Sequence, residues 1–391
     1  MELTEQARAA ADRAARASYG KLVALLAAPD GDLARAEDAL AGAFEEALRR
    51  WPVTGVPANP EGWLLTVARN RRRDGWKSAA ARTAAPLDEA GAAVDPFADH
   101  DPYGIGDKRL ELLFVCAHPA IDESARTPLM LQTVLGFEAA EIARAYAVPA
   151  ATMAQRLVRA KRRIKQARIP FAVPDRRVMP ERLPPVLEAV YGCAAIAWRG
   201  DIGEAQYLAV TLAALLGDEA EAWGLAALTT FVLARHRSSF VPLDQQDPSD
   251  WDAALVDEGE AYLRRARPAG PPGRFQLEAA VQAVHCDRRR TGATDWPALH
   301  TLYAALLAVA PSLGARVAAA TVTGRIAGPE AGLAALPSGA ELFQPYWAAR
   351  ADLLARVGRD ASAAYRKAAE LTDDPEVAAY LRGRAGGEPT A

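Results

Sequence analysis

The side chains with the clearest chemical potential lie on one strongly basic segment, residues 150–167. Hydroxyl, amide, guanidinium and ammonium donors recur there at helical spacing. Arginine pairs with guanine or phosphate and glutamine with adenine, each good base contact being worth about 1–3 kcal/mol. The pattern therefore predicts recognition of a DNA duplex. The predicted DNA-binding residues of this segment are Thr152, Gln155, Arg156, Arg159, Lys161 and Arg163.

The elements that must position these donors follow the order of a helix-turn-helix. A short helical pattern over residues 138–148 is followed by a corner at Val148-Pro149 and by the basic helix. A preceding helix is expected to begin at Thr127-Pro128 and to end at Gly136. An apolar seam is expected to join the two helices of the motif through Ile142, Ala143, Tyr146, Val148, Met153, Leu157, Ala160 and Ile164.

A second basic patch lies near the N-terminus, on a helical pattern from Pro60 to about Lys77. Its donors are Arg69, Asn70, Arg71, Arg72, Arg73 and Lys77, of which all but Arg73 are predicted DNA-binding residues. Two basic helices separated by a flexible stretch would let one chain contact a duplex at two places. Such contacts should weaken steeply with salt, because they release counterions from phosphate.

Composition indicates a helical protein with unlike halves. Of 391 residues, 51% are apolar and only 7% aromatic, which favours an all-α fold and argues against disorder or an all-β sandwich. The net charge of -3 combines a surplus of three basic residues in residues 1–177 with a surplus of six acidic residues in 178–391. A nucleic-acid partner is therefore compatible with the first half.

Breaks in the periodicity predict four segments. Residues 5–83 should form a three-helix domain, with helices over 7–27, 32–51 and 60–77. Residues 84–107 hold six acids, several prolines and no base, as in a flexible linker. Residues 108–170 should hold three or four short helices, and residues 180–391 a helical C-terminal domain. In the helix over 32–51 the apolar spacing leaves Glu37, Asp38, Glu45 and Glu46 toward solvent.

Several function classes lack support. The acidic start and short apolar runs predict no signal peptide, no membrane span and a cytoplasmic protein. Cys116, Cys193 and Cys286 stand far apart, which predicts neither disulfides nor a metal site. No nucleotide-binding, metalloprotease or nucleophile-elbow motif occurs, so we expect no enzyme activity, no catalytic residue and no cofactor.

Residues 16–169 resemble the extracytoplasmic-function group of the bacterial sigma-70 family. Residues 36–48 are similar to the helix that docks on RNA polymerase, and residues 63–70 with Asp74 to the helix that melts the minus-10 element. Residues 141–143 followed by 152–160 are similar to the helix-turn-helix that reads the minus-35 element. The resemblance implies sigma domain 2 over 5–83 and sigma domain 4 over 108–170.

The resemblance also implies site residues and partners. Trp63 joins the predicted DNA-binding residues, and the acidic linker would thread through polymerase. Core RNA polymerase and promoter DNA are the expected partners. The polymerase-binding residues implied are Glu37, Asp38, Leu40, Phe44 and Glu45.

The C-terminal half is similar to tetratricopeptide-like extensions found in one subgroup of these sigma factors. Residues 346–375 approximate one such helix pair, and pairs of this kind stack into a solenoid. The domain is expected to regulate activity by contacting the sigma domains or polymerase. Two alternatives remain: a helix-turn-helix regulator that binds operator DNA without polymerase, and a tetratricopeptide-type protein-interaction scaffold.

Overall fold

The computed structural model describes residues 2–82, 108–146, 148–175, 177–196, 202–237, 239–267 and 270–386, with the side chains of 2–3, 16–17 and 74–82 left out. Within these ranges the chain forms nineteen α-helices, two short 3-10 turns and no strand. The predicted all-α class is confirmed for the described residues. None of the described helices has the length and apolar character needed to cross a membrane.

The chain divides into two compact units, Met1–Ile196 and Ala197–Ala391. The helices of unit 1 are α1 (Glu2–Ala27), α2 (Leu33–Thr54), α3 (Pro60–Arg82), α4 (Arg109–Cys116), α5 (Glu123–Thr133), α6 (Ala139–Ala145), α7 (Ala150–Ala167) and α8 (Met179–Ile196). Those of unit 2 are α9 (Ile202–Leu216), α10 (Ala220–Ala234), α11 (Ala253–Arg265), α12 (Arg274–Cys286), α13 (Arg288–Thr291), α14 (Trp296–Val309), α15 (Leu313–Ala327), α16 (Pro329–Ala335), α17 (Gln344–Arg356), α18 (Ser362–Glu370) and α19 (Pro375–Ala385).

Helices α1 to α3 pack on one another at the start of unit 1. Asp32 caps α2 by accepting a hydrogen bond from the Arg35 amide at 3.2 Å. The predicted end of this helix at Trp51 is wrong, because α2 continues through Pro52 and ends at Gly55, whose φ is 82°. Pro52 has no amide to donate to the carbonyl of Leu48, and Leu48 is 45% exposed, so water can reach this part of the helix.

The start predicted for α5 at Thr127-Pro128 is also wrong. The helix begins at Glu123, with the Asp122 carboxylate accepting a hydrogen bond from the Ser124 amide at 3.0 Å, and Pro128 lies inside it. Its predicted end is confirmed. Gly136 has a φ of 75°, and the amide of Phe137 donates to the carbonyl of Leu131 at 3.0 Å.

Helix α8 lies at the start of the predicted C-terminal domain, yet it packs on α4 and α5 within unit 1. Its apolar side chains Leu183, Val186 and Val190 are buried. Compact unit 1 therefore extends to Ile196.

Unit 2 is built from helices that pack mainly on their neighbours along the chain. Trp223 and Phe231 of α10 are buried at one end. Tyr365 and Leu381 belong to a separate buried cluster formed by α17, α18 and α19 at the other end. Successive small cores of this kind hold the unit together.

Candidate nucleic-acid interface

Helices α6 and α7 form a tight two-helix motif. A capping box starts α6, in which the Glu138 amide donates to Oε2 of Glu141 at 2.8 Å. The helix ends at Tyr146, and α7 begins after Pro149, whose extended backbone turns the chain. The short helix, corner and longer helix predicted from the sequence are thus present.

The apolar positions predicted for the seam are largely buried. Six of its apolar side chains are buried, namely Ile142, Ala143, Met153, Leu157, Ala160 and Ile164. Tyr146 was wrongly placed in the seam, since it is 40% exposed. It lies at the C-terminal end of α6, where the chain leaves the helix, and Val148 in the following corner is half-buried.

The outward face of α7 lies opposite the seam. Thr152, Gln155, Arg159 and Arg162 are exposed and follow helical spacing along that face. None of the four has an ion pair within the described part of the chain. Arg162 is missing from the predicted set, although its spacing of three from Arg159 would have placed it there. This face can present hydroxyl, amide and guanidinium groups to a duplex.

One flank of α7 is attached to α5. Arg156 donates from Nη1 to the carbonyl of Ser124 at 3.2 Å. Pro128 lacks the amide that would bond this carbonyl four residues earlier, so Arg156 replaces the missing donor. Arg163 donates from Nε to the carbonyl of Ala120 at 3.3 Å. These two predicted DNA-binding arginines therefore also hold α7 in place.

The opposite flank of α7 is attached to α2. Nζ of Lys161 lies 2.6 Å from Oε2 of Glu37, and both side chains are mostly buried, with 12% and 17% exposed. One turn further, Nζ of Lys165 lies 2.6 Å from Oδ2 of Asp32, the residue that caps α2. Two ion pairs thus connect the basic helix to the acidic helix.

The environment shifts the pKa of the two carboxylates in opposite directions. Burial raises the pKa of Glu37 above its ordinary value, and Lys161 only partly offsets the effect. Burial alone would also raise the pKa of Asp32, but hydrogen bonds from Lys165 and the Arg35 amide lower it below the ordinary value. Asp32 therefore stays ionised to a lower pH than Glu37 does.

Helix α2 holds the residues predicted to bind polymerase, and the structure separates them. Asp38 and Glu45 are exposed and Phe44 is half-buried, whereas Leu40 is fully buried in the core. The spacing places Glu37 toward solvent, but Lys161 covers it.

The same helical spacing also misplaces Glu46. Its side chain is mostly covered, with 13% exposed beside Arg49 and Arg50, whereas the apolar Leu48 is 45% exposed. Neighbouring helices, which the spacing does not reveal, decide which side of α2 is covered. The exposed part of α2 is therefore mixed rather than purely acidic.

The basic patch of α3 is partly used within unit 1. Nη2 of Arg72 lies 2.5 Å from Oδ2 of Asp30, and Arg71 extends across Gly42 of α2, where a Cβ would overlap its guanidinium. Asn70 is exposed and accepts a hydrogen bond from Arg73.

The other predicted residues of α3 are less available. Arg69 is half-buried, and Trp63 packs edge-on against Trp51 with ring centroids 5.5 Å apart. The side chain of Lys77 and the whole linker over 84–107 lie outside the described residues. The accessible donors of this patch are therefore Asn70, Arg71 and Arg73.

Close backbone packing joins α1 to the end of α5. Gly20 is buried, and a Cβ built on it would overlap the carbonyl oxygen of Val134. Only glycine permits this approach. Cys116 is buried nearby in unit 1 with Sγ 3.7 Å from Oγ1 of Thr133, and burial raises its pKa to about 12, as expected of a packing residue.

An uncharacterized protein of Rhizobium meliloti (strain 1021) is 34% identical to the chain over 373 residues, which cover 89% of the chain and 88% of the relative. The chain belongs to the same family as this Rhizobium protein. The family of unknown function DUF6596 matches residues 182–267, from α8 to just beyond α11. No solved structure matches the chain. The relative therefore shares both the two-helix motif region and most of unit 2, and its name assigns neither a role.

Proposed function

We propose that the chain is an RNA polymerase sigma factor of the extracytoplasmic-function type. The observation that carries this proposal is the α6–α7 motif, in which a buried seam holds Thr152, Gln155, Arg159 and Arg162 on one exposed face. Side chains of these types can read base edges in the major groove. The order of the three family-like sequence segments supports the same function.

In this proposal α7 contacts the minus-35 element and α3 contacts the minus-10 element. Asn70, Arg71 and Arg73 are exposed on α3 and can donate to phosphate or bases. Both contacts should weaken with rising salt. Polymerase supplies the chemistry, so the chain itself needs no catalytic group.

Polymerase would dock on the exposed side of α2. Asp38 and Glu45 supply charge there, and half-buried Phe44 supplies apolar area. Glu37 and Lys161 bind each other, so full engagement of both partners requires α2 and α7 to separate. The fully buried Leu40 stabilises the helix and would not contact the partner directly.

The C-terminal half would act as a tetratricopeptide-like regulatory domain that contacts the DNA-binding half or polymerase. Its succession of short helices packed on their neighbours supports this assignment. Deleting residues 197–391 should change promoter-dependent activity or its regulation. Unchanged activity and unchanged regulation would contradict the regulatory role.

Run-off transcription with purified core polymerase tests the main proposal. The full chain should produce promoter-dependent transcripts, and Arg159→Ala should reduce them at least tenfold. Arg8→Ala is the matched control, because Arg8 is an exposed arginine on α1 away from the proposed interfaces. DNA binding without polymerase would instead indicate an operator-binding regulator. Absence of both DNA binding and transcription would leave the scaffold alternative.

A further inference from the structure

Unit 2 contains a cavity of about 920 Å³ bounded by α12, α14, α15, α17 and α19. This volume lies near the upper end of ordinary ligand sites. Its wall combines aromatic rings with four guanidinium groups, those of Arg288, Arg325, Arg356 and Arg384. A wall of this kind favours a ligand that carries both apolar groups and negative charge.

A segment of the chain itself, residues 240–246, lies along this cavity. Its one carboxylate is held between two helices, with Oδ2 of Asp244 3.2 Å from Nη2 of Arg325 on α15 and 3.9 Å from Nη2 of Arg356 on α17. The guanidinium of Arg288 donates to the carbonyl of Leu243 at 2.7 Å and to that of Gln246 at 3.2 Å. The wall thus recognises both the side chain and the backbone of the segment.

Helix α19 makes further contacts with the segment. The amide of Phe240 donates to Oε2 of Glu376 at 2.7 Å, and its ring meets Tyr380 edge-on with centroids 5.5 Å apart. Nε2 of Gln245 donates to the hydroxyl of Tyr380 at 2.9 Å. Hydrogen bonds to backbone groups, one aromatic contact and one carboxylate therefore hold this segment, which includes a 3-10 turn over Leu243–Gln245.

The segment is held at the surface rather than built into the core. None of residues 240–246 is buried, and the Asp244 side chain is 50% exposed. Ion pairs at this exposure contribute little to stability, so another carboxylate could replace Asp244 at small cost.

The wall retains unused capacity for an anion. Apart from Asp244, the described lining of the cavity holds two other carboxylates, those of Asp352 and Asp374, against the four arginines. Asp352 already contacts Arg356 at 2.7 Å, and Nε of Arg325 is buried without a hydrogen-bond acceptor. Burial lowers the pKa of His285 in the same wall to about 4, so this imidazole is neutral at pH 7. The positive charge of the wall therefore comes from the arginines.

We propose that this cavity binds a short acidic peptide segment of a partner protein, folded in a turn like the 3-10 turn over Leu243–Gln245, and that residues 240–246, which line the cavity, occupy the place of that peptide in the free protein. An aromatic residue and a carboxylate four positions later are the two anchors expected in the partner. Such a site does not require that the chain bind polymerase or DNA.

Fluorescence anisotropy with a labelled synthetic peptide of residues 239–246 tests this proposal on the full chain. A tethered segment competes at roughly millimolar effective concentration, so the wild type should bind the probe weakly. The variant Phe240→Ala with Asp244→Asn frees the wall from the segment and should bind the probe at least tenfold more tightly. A probe with asparagine in place of its aspartate should bind at least tenfold more weakly.

Three further measurements control for binding of the peptide elsewhere on the chain. Adding Arg325→Gln and Arg356→Gln to the freed variant should abolish binding, whereas adding Arg359→Gln should not, because Arg359 lies outside the cavity wall. In the wild type, several millimolar unlabelled peptide should speed hydrogen exchange at the Phe240 amide. Free aspartate or inorganic phosphate should compete at least tenfold less well than the peptide.

The proposal is overturned if the freed variant keeps its unfolding midpoint but does not bind the probe. Equal binding of the aspartate and asparagine probes would also overturn it. Competition by a small anion as strong as by the peptide would indicate a small-anion site instead. If the freed variant does not fold, unchanged exchange at Phe240 in the wild type decides against the proposal.

Discussion

Lys161 and Glu37 form an ion pair, with Nζ 2.6 Å from Oε2, that joins the basic helix α7 to the acidic helix α2. The two residues were predicted to contact different partners, DNA for Lys161 and polymerase for Glu37. In this conformation the two side chains instead form an ion pair with each other. Under the proposed function, promoter and polymerase therefore compete with a contact inside unit 1.

Breaking this pair should destabilise unit 1. Lys161→Met leaves the Glu37 carboxylate mostly buried without its cation, and we expect a loss of about 3 kcal/mol in the free energy of unfolding. Urea denaturation at pH 7 measures it. The matched control is Lys165→Met, which should cost no more than about 1 kcal/mol because the Lys165 side chain is 61% exposed.

A double-mutant cycle checks that the effect belongs to the pair. Glu37→Leu combined with Lys161→Met should cost less than the sum of the single changes, since no uncompensated charge remains. Additive costs would mean that the two residues do not interact.

The acid stability of unit 1 should depend on Asp32. Its pKa is lower in the folded state, so its contribution is present above the ordinary aspartate value near 4 and is lost as pH falls through the folded value. Asp32→Asn keeps a capping side chain but removes the charge. The stability difference between wild type and this variant should shrink between pH 6 and pH 3, as measured by urea denaturation.

Glu37 supplies a control, because its pKa is shifted in the opposite direction and its pH dependence should have the opposite sign. Because its pKa is raised in the folded state, wild type should lose stability relative to Glu37→Gln as pH rises through the glutamate range. A constant difference across pH for either variant would contradict the assigned shift.

Gly20 should not tolerate a side chain. Gly20→Ala places a methyl group against the Val134 carbonyl, and we expect a loss of about 1–3 kcal/mol. Gly192→Ala is the matched control, since it is also helical and its Cβ would lie 3.5 Å from Leu131. That change should be neutral or stabilising by up to about 1 kcal/mol. Thermal unfolding of both variants distinguishes the sites, and equal behaviour would refute the close contact.

Two arginines of α7 should behave differently. Arg156→Ala removes the donor to the Ser124 carbonyl and should lower stability by about 0.5–1 kcal/mol. Arg159→Ala removes an exposed side chain and should change stability by less than about 0.5 kcal/mol. Under the proposed function only Arg159→Ala reduces DNA affinity without a change in unfolding. Binding isotherms and denaturation curves for both variants test this.

Local signals predicted much of unit 1. Periodicity identified α2, α3, α6 and α7, and Gly136 marked the end of α5. The predicted start of α5 was wrong because the chain offers a second helix-start signal upstream of the first. Asp122 caps α5 five residues before the Thr127-Pro128 signal, and Arg156 compensates for the proline inside the helix.

The sequence predicted the chemistry of the candidate site more reliably than the contacts of its individual residues. Donors at helical spacing identified α7, but its flanking residues Arg156 and Lys161 are engaged with other helices, while Arg162 is exposed. Asp32 and Lys165 were missed as partners. The sequence shows two lysines one turn apart on α7 and two acids at the start of α2. Spacing within one helix does not specify which helices pack together, so it could not pair them.

The sequence alone determined the helical class, the order of helices α1–α3 and α5–α7 and the chemical character of α7, because these depend on composition and on spacing within one helix. The tertiary structure alone decided that Lys161 faces Glu37, that Gly20 meets Val134 and that residues 240–246 line the cavity of unit 2. The reason is physical: these contacts join residues 42 to more than 120 positions apart, and their partners are selected by packing of whole helices rather than by local preference.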